Sequence, residues 1–350
     1  MAIDTIGTNA IANDAVTAAK IPAGAVDADI TAIPDGSVST AKLADNAVTG
    51  AKLFADNLGR RNILINGAFQ IWQRGTSFSS NVYGSDRWKL YAPGSHAYSR
   101  STDTPDFFEY SASVGGSGDA TGLTQFVESR NAKHIPSSGT TKVILSFYLK
   151  HTTNSGTDKI TSVVGTMDSA DNSGASTNRS TKNHTTTGSW ARYTHEMTGA
   201  DLTAAVTNGL TVNIKHNGSG TTAFLLTGCQ LEINDAVTPF EHRSHGEELA
   251  LCHRYYNRLG LFFARVRNES ASSQNPDFVT TITFPPMREA PTINTYTDAN
   301  YTSSGTTQTG GSSLGFNNIS ISSANASMNS GSSGAQNISN SAYLELDKEI

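Results

Sequence analysis

From residue 62 onward, apolar and polar residues alternate along much of this chain, with the period of a strand. In residues 141–150, TKVILSFYLK, the side chains of Val143, Leu145, Phe147 and Leu149 fall on one face. Residues 190–197, WARYTHEM, and 210–215, LTVNIK, alternate in the same way. In residues 223–233 one face collects Ala223, Leu225, Thr227, Cys229, Leu231 and Ile233. The Gly-rich turn NGSG at 217–220 joins the last two runs and predicts a hairpin. Residues 278–284, 287–296, 318–322 and 342–347 predict further strands. Between them, 168–189, 297–313 and 322–337 are rich in Ser, Thr, Asn and Gly and read as loops.

One segment departs from the strand period. Ser244 and Glu247 are spaced as a capping box. Glu247 and Glu248 stand in the first turn that follows, and Arg254 and Arg258 toward its end, matching a helix dipole. Leu249, Cys252 and Tyr256 form an apolar stripe, widened by Leu251 and Tyr255. The pattern predicts one amphipathic helix over 244–258. His242, His245 and His253 flank it at spacings unlike an HExxH metal motif, so they read as solvated or packing residues.

The first sixty residues repeat a phrase instead. IANDAVTAAKI (11–21), a looser PAGAVDADI (22–30), IPDGSVSTAKL (33–43) and ADNAVTGAKL (44–53) each carry a turn signal, a Val among small residues, and, in three copies, a Lys before Ile or Leu. The period is about ten to twelve residues, shorter than helical-pair repeats, which begin at about twenty. Residues 1–58 hold fourteen large apolar residues (four Val, six Ile, three Leu, one Phe). That is too thin a stripe to order a lone segment against about 1–2 kcal/mol of backbone entropy per residue. The recurring stripe Val16, Val26, Val38, Leu43, Val48 and Leu53 is expected to be shared among identical chains, with three-fold winding preferred. A flexible leader is the alternative.

The organisation expected is therefore mainly β: an N-terminal repetitive trimeric stalk (1–60), a central jelly-roll β-sandwich (61–243), one short connecting helix (244–258) and a C-terminal β-domain (259–350). Composition agrees, at 37% hydrophobic and only 16% charged residues. With a net charge of −5 and no basic block, nucleic acid is not an expected partner. The two cysteines, Cys229 and Cys252, make neither a disulfide framework nor a metal motif. No secretory signal and no run long enough to span a membrane is visible, so a soluble product made in the cytoplasm, without membrane insertion, is expected. Asn-x-Ser/Thr triplets at Asn217 and Asn318 read as chance matches.

Two phrases place aromatics beside charge, FQIWQRG (69–75) and SDRW (85–88). One reading is a sugar site, with rings stacking on sugar faces and Asp86 and Arg87 holding hydroxyls. The other is core packing with a local ion pair, which the usual burial of Trp favours. Tyr83, Tyr91 and Tyr98 lie nearby and keep the first reading open. The candidate glycan-binding residues are Tyr83, Asp86, Arg87, Trp88 and Tyr91, with Tyr296, Tyr301 and Phe316 around the polar C-terminal loops.

The succession NILINGAFQIWQRGTSF, SDRWKL, GCQLEIN, TPFEHRSHGEELALCHRYY, FPPMREAPTI and AYLELDKEI resembles tail-fibre proteins of tailed bacteriophages, most of all those of phages infecting cyanobacteria. The AVTAAKI and AVTGAKL copies are similar to repeats preceding that module in the same family. The resemblance spans essentially the whole chain. It implies a homotrimeric fibre in the virion tail, assembled in the host cytoplasm and joined to the tail or another virion protein through its N-terminus. The sandwich would be carbohydrate-binding-module-like and would attach to host surface polysaccharide or lipopolysaccharide. No residue-level sugar site carries over. No metal site or cofactor is expected, although similar modules often hold a structural Ca²⁺. Two alternatives remain open. One is a non-adhesive virion component, such as a capsid decoration, adaptor or baseplate protein. The other is a tailspike-like glycan hydrolase, which needs two carboxylates across one bond. Asp86, Glu109, Glu128 and Glu196 are available for that role, and nothing in the sequence pairs them.

Overall fold

Eleven strands form two antiparallel sheets. They are β1 (Ser77–Phe78), β2 (Lys89–Tyr91), β3 (His96–Ser101), β4 (Ser111–Ser117), β5 (Gly122–Val127), β6 (Lys142–Thr153), β7 (Gly156–Ser169), β8 (Asn172–Thr186), β9 (Ala191–Thr198), β10 (Leu210–His216) and β11 (Thr221–Ile233). One sheet runs β1-β3-β4-β11-β6-β9 and the other β2-β5-β10-β7-β8. The computed structural model describes residues 61–350 apart from 80, 92–95, 118–120, 136–141, 154, 219, 260–263, 269–277, 297–299, 304–305, 310–313, 329–333 and 340–342. The stalk residues Val16, Val26, Val38, Leu43, Val48 and Leu53 lie outside the described residues.

The two sheets make a jelly-roll sandwich around one core. Val143, Leu145, Phe147 and Leu149 of β6, with Phe224 and Leu226 of β11, meet Leu210, Val212 and Ile214 of β10 and Ile160 and Val164 of β7. Each such side chain contributes about 1.5–3 kcal/mol by leaving water. The predicted hairpin of residues 210–215 and 223–233 is not formed. β10 pairs with β5 and β7, whereas β11 pairs with β4 and β6 in the other sheet. Both strands have two neighbours and a buried face, so the Gly-rich turn carries the chain across the core rather than back along one sheet. Residues 168–189, expected as a loop, hold the fifteen-residue strand β8, paired along β7. Most of its side chains are exposed, and as an edge strand it needs no apolar period.

A strap ahead of β1 closes one end of the sandwich. Asn62 Nδ2 donates to the Cys229 carbonyl at 3.0 Å, and its Oδ1 accepts from the amides of Leu64 and Leu231 at 3.0 and 3.1 Å. Gln125 clamps Ile65 through both its carbonyl and its amide, at 2.7 and 2.8 Å. Gly67 lies against β11 so closely that a Cβ there would sit 2.1 Å from the Cys229 carbonyl oxygen. Glu241 accepts from the amides of Arg61 and Asn62, and Arg243 donates to the Leu64 carbonyl at 3.1 Å. The phrases NILINGAF and FEHR are thus two halves of one clamp.

Two four-residue helical turns, α1 (Ser129–Ala132) and α2 (Ala205–Asn208), precede the longer α3 (His245–His253). The Ser244–Glu247 capping box is present, with hydrogen bonds of 3.0 and 3.3 Å in its two directions. The helix is shorter than predicted. It ends at His253, and Tyr256 opens strand β12 (Tyr256–Leu259) because that backbone pairs with a strand near the end of the chain.

The remaining strands are β13 (Ala264–Asn268), β14 (Phe278–Thr283), β15 (Thr292–Tyr296), β16 (Asn300–Ser303), β17 (Thr306–Thr309), β18 (Leu314–Asn317), β19 (Ser323–Met328), β20 (Gly334–Ser339) and β21 (Tyr343–Asp347). They pair as β12-β21-β15, β13-β20-β16-β17 and β14-β19-β18. The predicted loops 297–313 and 322–337 therefore contain strands. The predicted strand 318–322 is instead a turn: the Ser320 hydroxyl accepts from the amides of Ser322 and Ser323, and Asn318 takes φ 49°. Phe284, Met287, Ala324, Leu344 and Leu346 form a second, smaller core.

Candidate functional site

The sandwich carries an open groove of about 570 Å³ over β1, β3 and β4, lined by Thr76, Ser99, Arg100, Ser101, Thr102, Tyr110 and Ser113. Register puts Ser77, Ser99 and Ser113 opposite one another on three neighbouring strands, a row of hydroxyls across the sheet. The Arg100 guanidinium lies over the Tyr110 ring, 4.4 Å from its centroid. Arg100 is exposed, and its amide donates to the Thr76 carbonyl at 2.9 Å, which ties β3 to the approach of β1. The Glu109 carboxylate, hydrogen-bonded to the Tyr110 hydroxyl, holds that phenol above its usual range.

The β3–β4 loop, 102–110, contributes Thr102 and Tyr110 to the lining. Phe107 is 91% exposed and has φ 71°, a left-handed backbone that bulky residues rarely adopt. Its neighbour Phe108 is the anchor. It packs 5.4 Å from Tyr148 and 5.1 Å from both Phe240 and His242, measured between ring centroids. It fits because β11 bulges at Gly228, where φ is 60° and a Cβ would come within 2.7 Å of the Phe108 ring. Asp103 fixes the loop's other end, accepting from Lys150 Nζ at 2.7 Å and Trp190 Nε1 at 2.9 Å, which together depress its pKa. With Phe108 seated and Asp103 pinned, the loop presents Phe107 to solvent on a firm mount.

The sequence-predicted site does not assemble as a sugar site. Asp86, Arg87 and Trp88 are 0–1% exposed and have no face to offer a ligand. Trp88 packs on Phe69 and donates from Nε1 to the Asn66 carbonyl at 3.0 Å. Asp86 pairs with Arg74 at 3.6 Å and accepts from Gln73; burial nonetheless pushes its pKa up to about 6. Arg87 pairs with Glu349 and lies over the Tyr255 ring at 3.4 Å. Arg74 also reaches Asp347 at 3.1 Å and Glu349 at 3.3 Å, and stacks 3.7 Å from the Tyr256 centroid. Half-buried Tyr83 donates to the Ile350 carbonyl at 3.2 Å. These residues form a lock that holds the last strand's tail against the sandwich. Tyr91 is exposed, but on β2, at the edge of the other sheet. Phe316 packs partly buried against the C-terminal core. Tyr296 and Tyr301 lie on β15 and β16, and their side chains are outside the described residues.

The four candidate carboxylates sit in separate surroundings. Glu128 is buried and meets Arg254 at 2.7 Å, Arg288 at 3.3 Å and Arg130 at 3.7 Å. Glu196 pairs with Lys142 at 3.1 Å on the surface, Asp86 belongs to the lock, and Glu109 interacts with Tyr110. Among the described residues, no group of three or more His, Cys, Asp or Glu is placed to hold a metal ion.

A second buried polar cluster joins the edge strands of the two sheets. Ser162 Oγ of β7 shares hydrogen bonds with His184 Nε2 of β8 at 2.8 Å and His195 Nδ1 of β9 at 2.9 Å; Ser180 Oγ reaches His195 Nε2 at 2.8 Å. His151 is held between Thr186 and Thr222 at 2.6 and 3.0 Å. Burial, with nearby cationic groups, lowers the pKa of His151, His184 and His195 to about 4.

No family model matches the chain, and no curated protein matches it. Solved structures give partial likenesses over about half of it. The CBM22-1 xylan-binding domain of Paenibacillus barcinonensis Xyn10C is 13% identical, with a TM-score of 0.34, covering 50% of this chain and 96% of that one. The enzymatically active domain of tailspike protein 4 from bacteriophage CBA120 is 15% identical, with a TM-score of 0.32, covering 49% of this chain and 21% of that one. The CBM22-1–GH10 modules of Clostridium thermocellum xylanase 10B, complexed with xylohexaose, are 16% identical, with a TM-score of 0.30, covering 46% of this chain and 28% of that one. Likeness this low carries neither a ligand nor an activity to this chain.

Proposed function

We propose that this chain is a structural virion protein, the homotrimeric tail fibre of a tailed bacteriophage, and that its sandwich attaches the particle to glycan on the host surface. The observation that carries the adhesive part is the groove: an open, hydroxyl-lined cleft with a Tyr–Arg stack, bordered by a loop that exposes Phe107 on left-handed backbone. Its volume falls within the usual range of small-ligand sites, about 300–1,000 Å³, and its row of Ser and Thr both donates and accepts, as sugar hydroxyls do. The fibre part rests on the sequence resemblance. In this reading residues 1–60 join three chains and mount them on the virion, and three weak sites gain avidity together.

Sedimentation of the full chain, alongside saturable binding to host cells or their lipopolysaccharide, tests both parts. A trimer whose binding falls on Tyr110→Ala is expected. A monomer would remove the fibre. A trimer that binds no host surface would leave a non-adhesive virion component, and reducing ends released from a bound polysaccharide would replace the adhesin with a hydrolase.

A further inference from the structure

We infer that the groove selects an acidic sugar, a uronate-type residue whose carboxylate pairs with Arg100 while its hydroxyls meet Ser99, Ser101, Thr102 and Ser113. The inference rests on the glycan-binding reading above and narrows it to a ligand class.

Arg100 is the one charged side chain among the seven that line the groove; the other six carry hydroxyls. A neutral sugar is served by hydroxyls alone, since each can donate and accept. A guanidinium only donates, and its planar fork matches a carboxylate through two parallel bonds. Among the described residues Arg100 pairs with no carboxylate. Of the three acidic residues in the neighbouring loop, Asp103 is engaged by Lys150 and Trp190, Glu109 by the Tyr110 hydroxyl, and Asp106, among the described residues, makes no ion pair with Arg100. The Thr76 bond to its amide fixes the backbone of Arg100, and the stack on Tyr110 keeps the guanidinium over a ring that lines the groove. By contrast, the arginines of the C-terminal lock are buried on protein carboxylates.

The test is calorimetric titration of the full chain with galacturonate, mannuronate and glucuronate oligosaccharides, each beside its carboxyl-reduced product. At least one acidic member should bind roughly tenfold or more tightly than its reduced form. Arg100→Gln should erase that preference while leaving the melting temperature unchanged, because the side chain is exposed. Added salt should weaken the acidic member and spare the neutral one. Equal binding of both forms, or binding confined to neutral members, would overturn the acidic assignment and leave the glycan reading standing. Failure of every oligosaccharide to bind would also overturn the assignment. The glycan reading itself falls only if whole host polysaccharide fails as well.

Discussion

Replacing Glu349 with Gln removes a carboxylate that two buried guanidinium groups share. The Glu349 side chain is 5% exposed, Arg87 1% and Arg74 10%. Arg74 keeps Asp347 at 3.1 Å and Asp86 at 3.6 Å, so it retains two partners. Arg87 keeps only the Phe126 carbonyl and the face of Tyr255, and its Nε is already buried without a hydrogen-bond partner. The loss therefore falls on Arg87. Breaking a buried ion pair from one side costs about 3–5 kcal/mol, since the stranded charge stays desolvated. For a unit of this size that lowers Tm by roughly 10 °C. Urea denaturation of wild type, Glu349→Gln, Arg87→Met and the double variant measures the coupling. The double variant should lose less than the sum of the singles, by about 1–3 kcal/mol. If Glu349→Gln loses under about 1 kcal/mol, or the two changes simply add, the lock is not what holds the tail.

The buried histidines set a direction for pH. Their folded pKa of about 4 lies below the ordinary 6.5, so stability is full above pH 6.5 and declines as pH falls toward 4. Each contributes at most about 2 kcal/mol of loss at pH 5. Asp86, raised to about 6, opposes this by a single proton, so thermal melts should drop between pH 7 and pH 5; a flat or rising profile would contradict the neutral cluster. Phe107→Gly should leave stability level or slightly higher, since Gly accepts φ 71° freely, while host-glycan affinity falls; unchanged affinity would remove Phe107 from the site. Gly67→Ala should cost about 1–3 kcal/mol, because its Cβ meets backbone of β11, and an unshifted urea midpoint would refute the close contact.

Strands with one buried face were legible in the sequence. Val143, Leu145, Phe147 and Leu149 alternate because every second residue of β6 enters the core. β8 was not, since an edge strand facing water on most of its length can be built from Ser, Thr and Asn. The partners of β10 and β11 were also hidden. Local turn chemistry proposes a hairpin, and only the two-sheet arrangement assigns the strands to opposite sides of the core. The burial of Asp86, Arg87 and Trp88 was hidden for a related reason. Aromatics beside Asp and Arg at 85–88 serve burial and ion pairing, whereas the exposed ring sits in TPDFFEY, residues 104–110. The signal there is the adjacent pair Phe107–Phe108 after a Pro-Asp turn, of which Phe108 is anchored and Phe107 is turned to water. The capping box at Ser244 was legible because it is local; the early helix end was not, since β21 lies about ninety residues downstream.

The contact between Arg87 and Glu349 joins positions 262 apart in the chain, and Arg74 reaches positions 273 and 275 further on. Few contacts demand a larger loop closure, and folding slows as such separations grow. On the ribosome both arginines emerge long before Asp347 and Glu349 exist. The sandwich can collapse around β6 and β11 with Arg74 already beside Asp86, but Arg87 must wait for Glu349, 262 positions downstream. The sandwich's two lock arginines are therefore fully satisfied only late, and the pairing with Glu349 couples the completion of the sandwich to the arrival of a segment far downstream.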